Sequence, residues 1–72
     1  MAVNSRKLKQ IGEKIQKLRK EKGLTQKQLA DKVRVSSTYI GFIEQGQRNP
    51  SINTADKIAR VLGVKVKDLI PF

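Results

Sequence analysis

The stretch Thr25–Gly46, TQKQLADKVRVSSTYIGFIEQG, most narrows what this chain can fold into. It has the pattern of two short helices joined by a tight turn. Thr25 can accept from the amide of Gln28 while the Gln28 side chain reaches back, a capping box that starts the first helix. Leu29, Ala30 and Val33 follow as its buried stripe, and Ala30 is small where a second helix must come close. The chain then turns through Arg34 and Val35. Ser36 can cap the next helix, which runs to about Glu44 or Gln45 with Ile40 and Ile43 inward. Ser37, Thr38, Gly41, Phe42 and Gln45 are left to face outward.

The flanks supply the rest of a helical domain. Leu8, Ile11, Ile15 and Leu18 fall on one face and predict a helix over Leu8–Glu21, with Lys9, Lys14, Lys17 and Lys20 on its other faces. Beyond the central pair, GQRNPS reads as a loop. Pro50 disfavours helix at Asn49, and Ser51 caps a fourth helix. Its expected inward face is Ile52, Ala55, Ile58, Ala59 and Leu62. A last short turn over Val66–Ile70 packs Val66, Leu69 and Ile70 back on the core, and Pro71 stops it. Gly23, Gly46 and Gly63 each follow an apolar-periodic segment, where a left-handed cap belongs. Val and Ile do not alternate over long runs, so no strands are expected. The expected fold is all-α, a five-helix domain over residues 1–72, with residues 1–6 as a flexible N-terminal arm.

Composition narrows the chemistry. A chain of 72 residues buries only about 60% of its extended surface and leaves little room for an enzymatic cleft. It has no cysteine and no histidine, so disulfides, thiolate metal sites and the commonest general base are all missing. Asp31, Asp56 and Asp68 lie in separate segments with lysines close in sequence, and serines without histidine make no ordinary nucleophile–base pair. The expectation is a protein that is not an enzyme and holds no metal or cofactor. No apolar run approaches the roughly 20 residues of a membrane span. The start, MAVNSRKLKQ, lacks the apolar core of a signal peptide, which points to the cytoplasm.

Charge is the other strong signal. Sixteen Lys and Arg against six acids give a net charge of +10, a balance that favours a polyanionic partner. The excess is uneven: residues 1–22 hold eight basic and two acidic residues, whereas 23–48 and 49–72 each hold four and two. Lysines also keep small domains soluble. A basic amphipathic helix can lie on anionic lipid, but the apolar face of the first helix has no aromatic, and the following segments offer it a core to cover. A basic helix followed by a helix pair with small polar outward residues suits a module that lays one helix in the major groove of DNA.

At these residues the chain resembles the phage repressor and Cro-like, or XRE-like, helix-turn-helix family. The resemblance covers roughly Ile11 to Ile70 and rests on LRKEKGLTQKQLA, VSSTYIGFIEQGQRNPS and a closing helix ending LGV. It implies five short helices, with the third as the reading helix. It also implies a sequence-specific regulator that binds double-stranded DNA, as a homodimer on a palindromic operator. Carried over, the amino-terminal glutamine of helix two is Gln26, a phosphate contact. The base-reading positions are Ser37, Thr38 and Phe42. Ser36 and Tyr39 stand where backbone contacts are common, and Arg48 and Asn49 lie in the phosphate-contacting loop. The family's helix-one arginine and its glutamate partner fall on Arg19 and Glu44. Three positions depart from the pattern: Arg34 replaces a turn glycine, Phe42 is large and apolar where bases are read, and Lys65 stands where a serine-like cap is usual.

The alternatives differ by residue. Ser37 and Thr38 either touch base edges or merely start a helix. Phe42 can meet a thymine methyl, cover the core edge, or contact another protein. Tyr39 can donate to a phosphate or pack at the surface. Two rival functions follow. One is a protein-interaction module, such as an antitoxin or a regulatory partner subunit, whose contact is Phe42 or the apolar tail Ile70–Phe72. The other is an RNA-associated binder, for which the charge alone would serve.

Overall fold

The computed structural model describes residues 5–70, and among them there are five helices and no strand. They are α1 (Ser5–Glu21), α2 (Gln26–Val33), α3 (Ser37–Glu44), α4 (Ile52–Leu62) and α5 (Val66–Leu69). The all-α, five-helix expectation holds. Helix α1 starts three residues before the expected Leu8, because nothing in Ser5-Arg6-Lys7 breaks a helix. Ser5 and Arg6, expected in the arm, are therefore helical, and the rest of the arm lies outside the described residues.

Local chemistry explains the boundaries. The Thr25 hydroxyl accepts from the Gln28 amide at 3.0 Å, and Gln28 Oε1 accepts from the Thr25 amide at 2.9 Å. Ser36 accepts from the Tyr39 amide at 3.0 Å and Ser51 from that of Thr54 at 3.1 Å. Each satisfies a donor that the first turn leaves without a helical partner. At α5 the serine-like cap is replaced from the other side: the Asp68 carboxylate accepts from the Lys65 backbone at 3.0 Å. Gly23, Gly46 and Gly63 take the left-handed conformation at φ 72, 78 and 75.

The turn between α2 and α3 takes the same conformation without a glycine. Arg34 has φ 64 and ψ 46, and among the described residues it alone has positive φ without being glycine. Its amide and that of Val35 both return to the Ala30 carbonyl, which closes α2. A left-handed L-residue costs roughly 1–2 kcal/mol. Arg34→Gly is accordingly expected to stabilise the domain by up to about 1 kcal/mol, reduced by the greater unfolded-state entropy of glycine. A urea melt checks this; a clear loss of stability would mean that the Arg34 side chain makes a contact worth more than the strain.

Packing then sets the position of α3. Helix α3 packs against both α1 and α2, α4 against α2, and α5 against α4 and α1. The core is one cluster of Ile11, Ile15, Leu29, Ala30, Val33, Ile40, Ile43, Ile58, Ala59, Leu62 and Leu69, with Leu8, Leu18, Tyr39, Val66 and Ile70 packed partly against it. One expected core residue is misplaced: Ile52 is 76% exposed. It opens α4, where side chains lean back toward the N-terminus and project past the helix start. The inward stripe of α4 begins instead at Ala55.

Candidate nucleic-acid interface

Helix α3 is anchored by a buried polar cluster. Arg19 and Glu44 are each only 6% exposed. Arg19 Nε donates to Glu44 Oε2 at 2.6 Å and Nη2 to Oε1 at 3.1 Å. This two-pronged geometry is the one a guanidinium makes best with a carboxylate. The remaining prong, Nη1, donates to the Leu24 carbonyl at 2.7 Å. Arg19 on α1 thereby holds both the end of α3 and the entry to α2. Among the described residues no buried side-chain nitrogen or oxygen is left without a partner.

Gln26 joins this cluster. Its Nε2 donates to Glu44 Oε1 at 2.9 Å across the α2–α3 contact. Its side chain also lies beside Gly41, where an added Cβ would stand 3.6 Å from Gln26 Oε1. Gly41 therefore faces α2, not outward as the spacing suggested. One N–H and the carbonyl oxygen of Gln26 remain for an outside partner.

Close backbone approach fixes the other side of α3. A Cβ on Gly12 of α1 would stand 2.5 Å from the Glu44 carbonyl oxygen and closer still to that of Ile43. At Gly46 it would stand 3.0 Å from Lys9 Cα. The carboxyl end of α3 thus sits directly on the α1 backbone.

The outward face of α3 has no charge, since its one ionic side chain, Glu44, is turned in and paired. Ser37, Thr38 and Gln45 are exposed, and Phe42 is 39% exposed. Thr38, Phe42 and Gln45 follow at helical spacing and so share a face. Ser36 spends its oxygen on the α3 cap and keeps its O–H to donate. Tyr39 is partly buried, packed against the core. Arg48 and Asn49 are exposed in the loop that follows α3, with Pro50 buried beneath. Ile70 packs on the core; Pro71 and Phe72 of the apolar tail lie outside the described residues. Gln45 and Gly12 carry no role in the sequence reading. The signals were one further turn beyond Phe42 and a lone glycine inside an amphipathic helix.

Residues 15–69 match the helix-turn-helix family model HTH_3. The chain belongs to the HTH_3 helix-turn-helix family. Among its relatives is the immunity repressor protein of Bacillus phage phi105, 40% identical over 60 residues. That match takes in 83% of this chain and 42% of the repressor, so the chain spans less than half of that protein's length. Solved structures of similar size align more completely. The restriction-modification controller protein C.AhdI from Aeromonas hydrophila superposes with a TM-score of 0.82 at 35% identity, over 86% of this chain and 94% of that one. SinR, the master regulator for biofilm formation, in its complex with DNA, superposes at 0.78 and 42% identity, over 82% and 95%. The HTH_3 domain here has no helix among its described residues long and apolar enough to cross a membrane.

Proposed function

We propose that this HTH_3 domain is a sequence-specific, double-stranded-DNA-binding transcriptional regulator that reads its site with α3. The observation that carries the proposal is the exposed, uncharged face of α3, held on a buried Arg19–Glu44–Gln26 cluster. The net charge of +10 supplies sequence-independent attraction to phosphates. Ser37, Thr38 and Phe42 address base edges, with Gln45 one turn further along. Gln26, Ser36, Tyr39, Arg48 and Asn49 address the backbone, which sets register but not sequence choice. Two copies act as a symmetric homodimer on a palindrome with half-sites about one helical turn apart. Such a regulator works in the cytoplasm, where the DNA is.

One experiment tests the assignment. Duplexes are selected from a random pool, and affinities for the selected and a random duplex are measured by fluorescence anisotropy over a salt series. Log affinity is expected to fall against log salt with a slope on the order of −0.9 per neutralised phosphate. Arg48→Ala should weaken both duplexes alike. Thr38→Ala or Phe42→Ala should shrink the gap between them by roughly 1–3 kcal/mol per lost base contact. A pool that yields no preferred duplex, or single-stranded RNA bound more tightly than any duplex, would refute the reading. A second reading rests on the exposure of Phe42: the same face contacts a protein. It gains if Phe42→Ala leaves the specificity ratio intact and abolishes a protein complex.

A further inference from the structure

A wide, open depression of about 450 Å³ lies between the end of α1, the two ends of α2 and the last turn of α4. It is lined by Lys22, Leu24, Lys32 and Val61, none of which belongs to α3 or to the residues assigned to DNA. Leu24 and Val61 are half-buried and packed against the core, so they form an apolar floor. Lys22 and Lys32 are exposed at its rim. The Lys22 ammonium reaches over the end of α4, where it would stand 3.4 Å from a Cβ placed on Gly63.

The charge at this rim is unmatched. Elsewhere on the same helices, Lys27 pairs with Asp31 at 3.5 Å and Arg60 with Asp56 at 3.0 Å. Among the described residues no carboxylate lies within 4.0 Å of Lys22 or Lys32. Two uncompensated cations therefore flank an apolar floor. A phosphate backbone would use the cations but has no need of the floor. A small carboxylic acid would use both, but the depression is broad and widely open to solvent, and small-ligand sites enclose most of their ligand. What fits is a side chain carried on a chain that continues past the opening.

We propose that this depression docks an acidic amphipathic segment of a partner protein. A leucine-sized side chain of the segment rests on Leu24 and Val61, and carboxylates beside it meet Lys22 and Lys32 in charge-assisted hydrogen bonds. Because the lining excludes α3, the partner can be held while the reading helix is engaged.

The test uses the full chain, labelled with nitrogen-15, and a short capped peptide alternating glutamate and leucine. Titration is expected to shift the amides of Lys22, Leu24, Lys32 and Val61 while those of α3 stay in place. Lys22→Gln with Lys32→Gln should weaken the peptide by about tenfold or more, and both positions are exposed, so folding is unaffected. A peptide with serine for leucine should bind correspondingly worse. Shifts spread over the basic surface, full affinity in the double variant, or equal binding of the serine peptide would each overturn the proposal. So would displacement of the peptide by a random duplex, which would assign the two lysines to phosphate. None of these outcomes depends on whether α3 reads a DNA sequence.

Discussion

Glu44→Ala is expected to leave the domain largely unfolded at room temperature. The substitution removes the carboxylate that takes two hydrogen bonds from Arg19 and one from Gln26. The Arg19 side chain is 8% exposed and that of Glu44 1%, so water cannot replace the lost partner without opening the α1–α3 contact. Breaking a buried pair on one side costs about 3–5 kcal/mol. A domain of this size has only about 5 kcal/mol in total. Circular dichroism with a urea melt reads the outcome directly. A cost under about 0.5 kcal/mol would place the pair among surface ion pairs, against the burial seen here.

The rescue separates charge from packing. Arg19→Met combined with Glu44→Leu should recover much of the lost stability, because a well-packed apolar pair can match a buried ion pair. Recovery is expected to stop short of the parent, since the Leu24 carbonyl loses its donor and the Gln26 amide its acceptor. Both hydrogen bonds lie at partly buried positions, where water can serve in part. If the double variant is stable yet discriminates poorly between duplexes, the cluster's role is to orient α3. If the double variant is no more stable than Glu44→Ala alone, the site does not tolerate an apolar pair and packing around it is specific to the guanidinium.

What capping chemistry and periodicity made legible was local, whereas the Arg19–Glu44 pair, 25 residues apart, came only from the family resemblance. The caps at Thr25, Ser36 and Ser51 act over three residues, and all three make the expected hydrogen bond. The inward stripe of α2 follows from helical period alone. Period does not show where a neighbouring helix ends, which is why Ile52 reads as core and stands 76% exposed. Nor does it distinguish two sides of a short helix finely enough to place Gly41 against Gln26. The partners of Gln26 and Leu24 lie 18 and five residues away, and only the packed arrangement brings them to one cluster. The depression at Lys22 and Lys32 is of the same kind, made where three elements meet.

Gly12→Ala should also be destabilising, by up to about 2 kcal/mol once the propensity gain is subtracted, contrary to the usual effect of alanine in a helix. At an open helical position this change gains roughly 1 kcal/mol. Here the new methyl would fall on the Ile43 and Glu44 carbonyl groups, which are backbone and cannot rotate away. Helix α1 must then move off the end of α3, and overpacking of this kind costs typically 1–3 kcal/mol before the propensity gain is subtracted. The displacement also separates Arg19 from Glu44, because both helices that carry the pair shift. Gly12→Ala and Glu44→Ala should therefore be less than additive in a double-mutant cycle, as expected of residues that share one contact. Stability alone does not complete the test. With α3 as the proposed DNA-reading helix, a changed angle in the fraction that folds should lower the preference for the selected duplex more than affinity for a random one. A melting temperature raised by Gly12→Ala, with duplex preference intact, would mean that the helices do not approach this closely, and that α1 covers the core without setting the angle of α3.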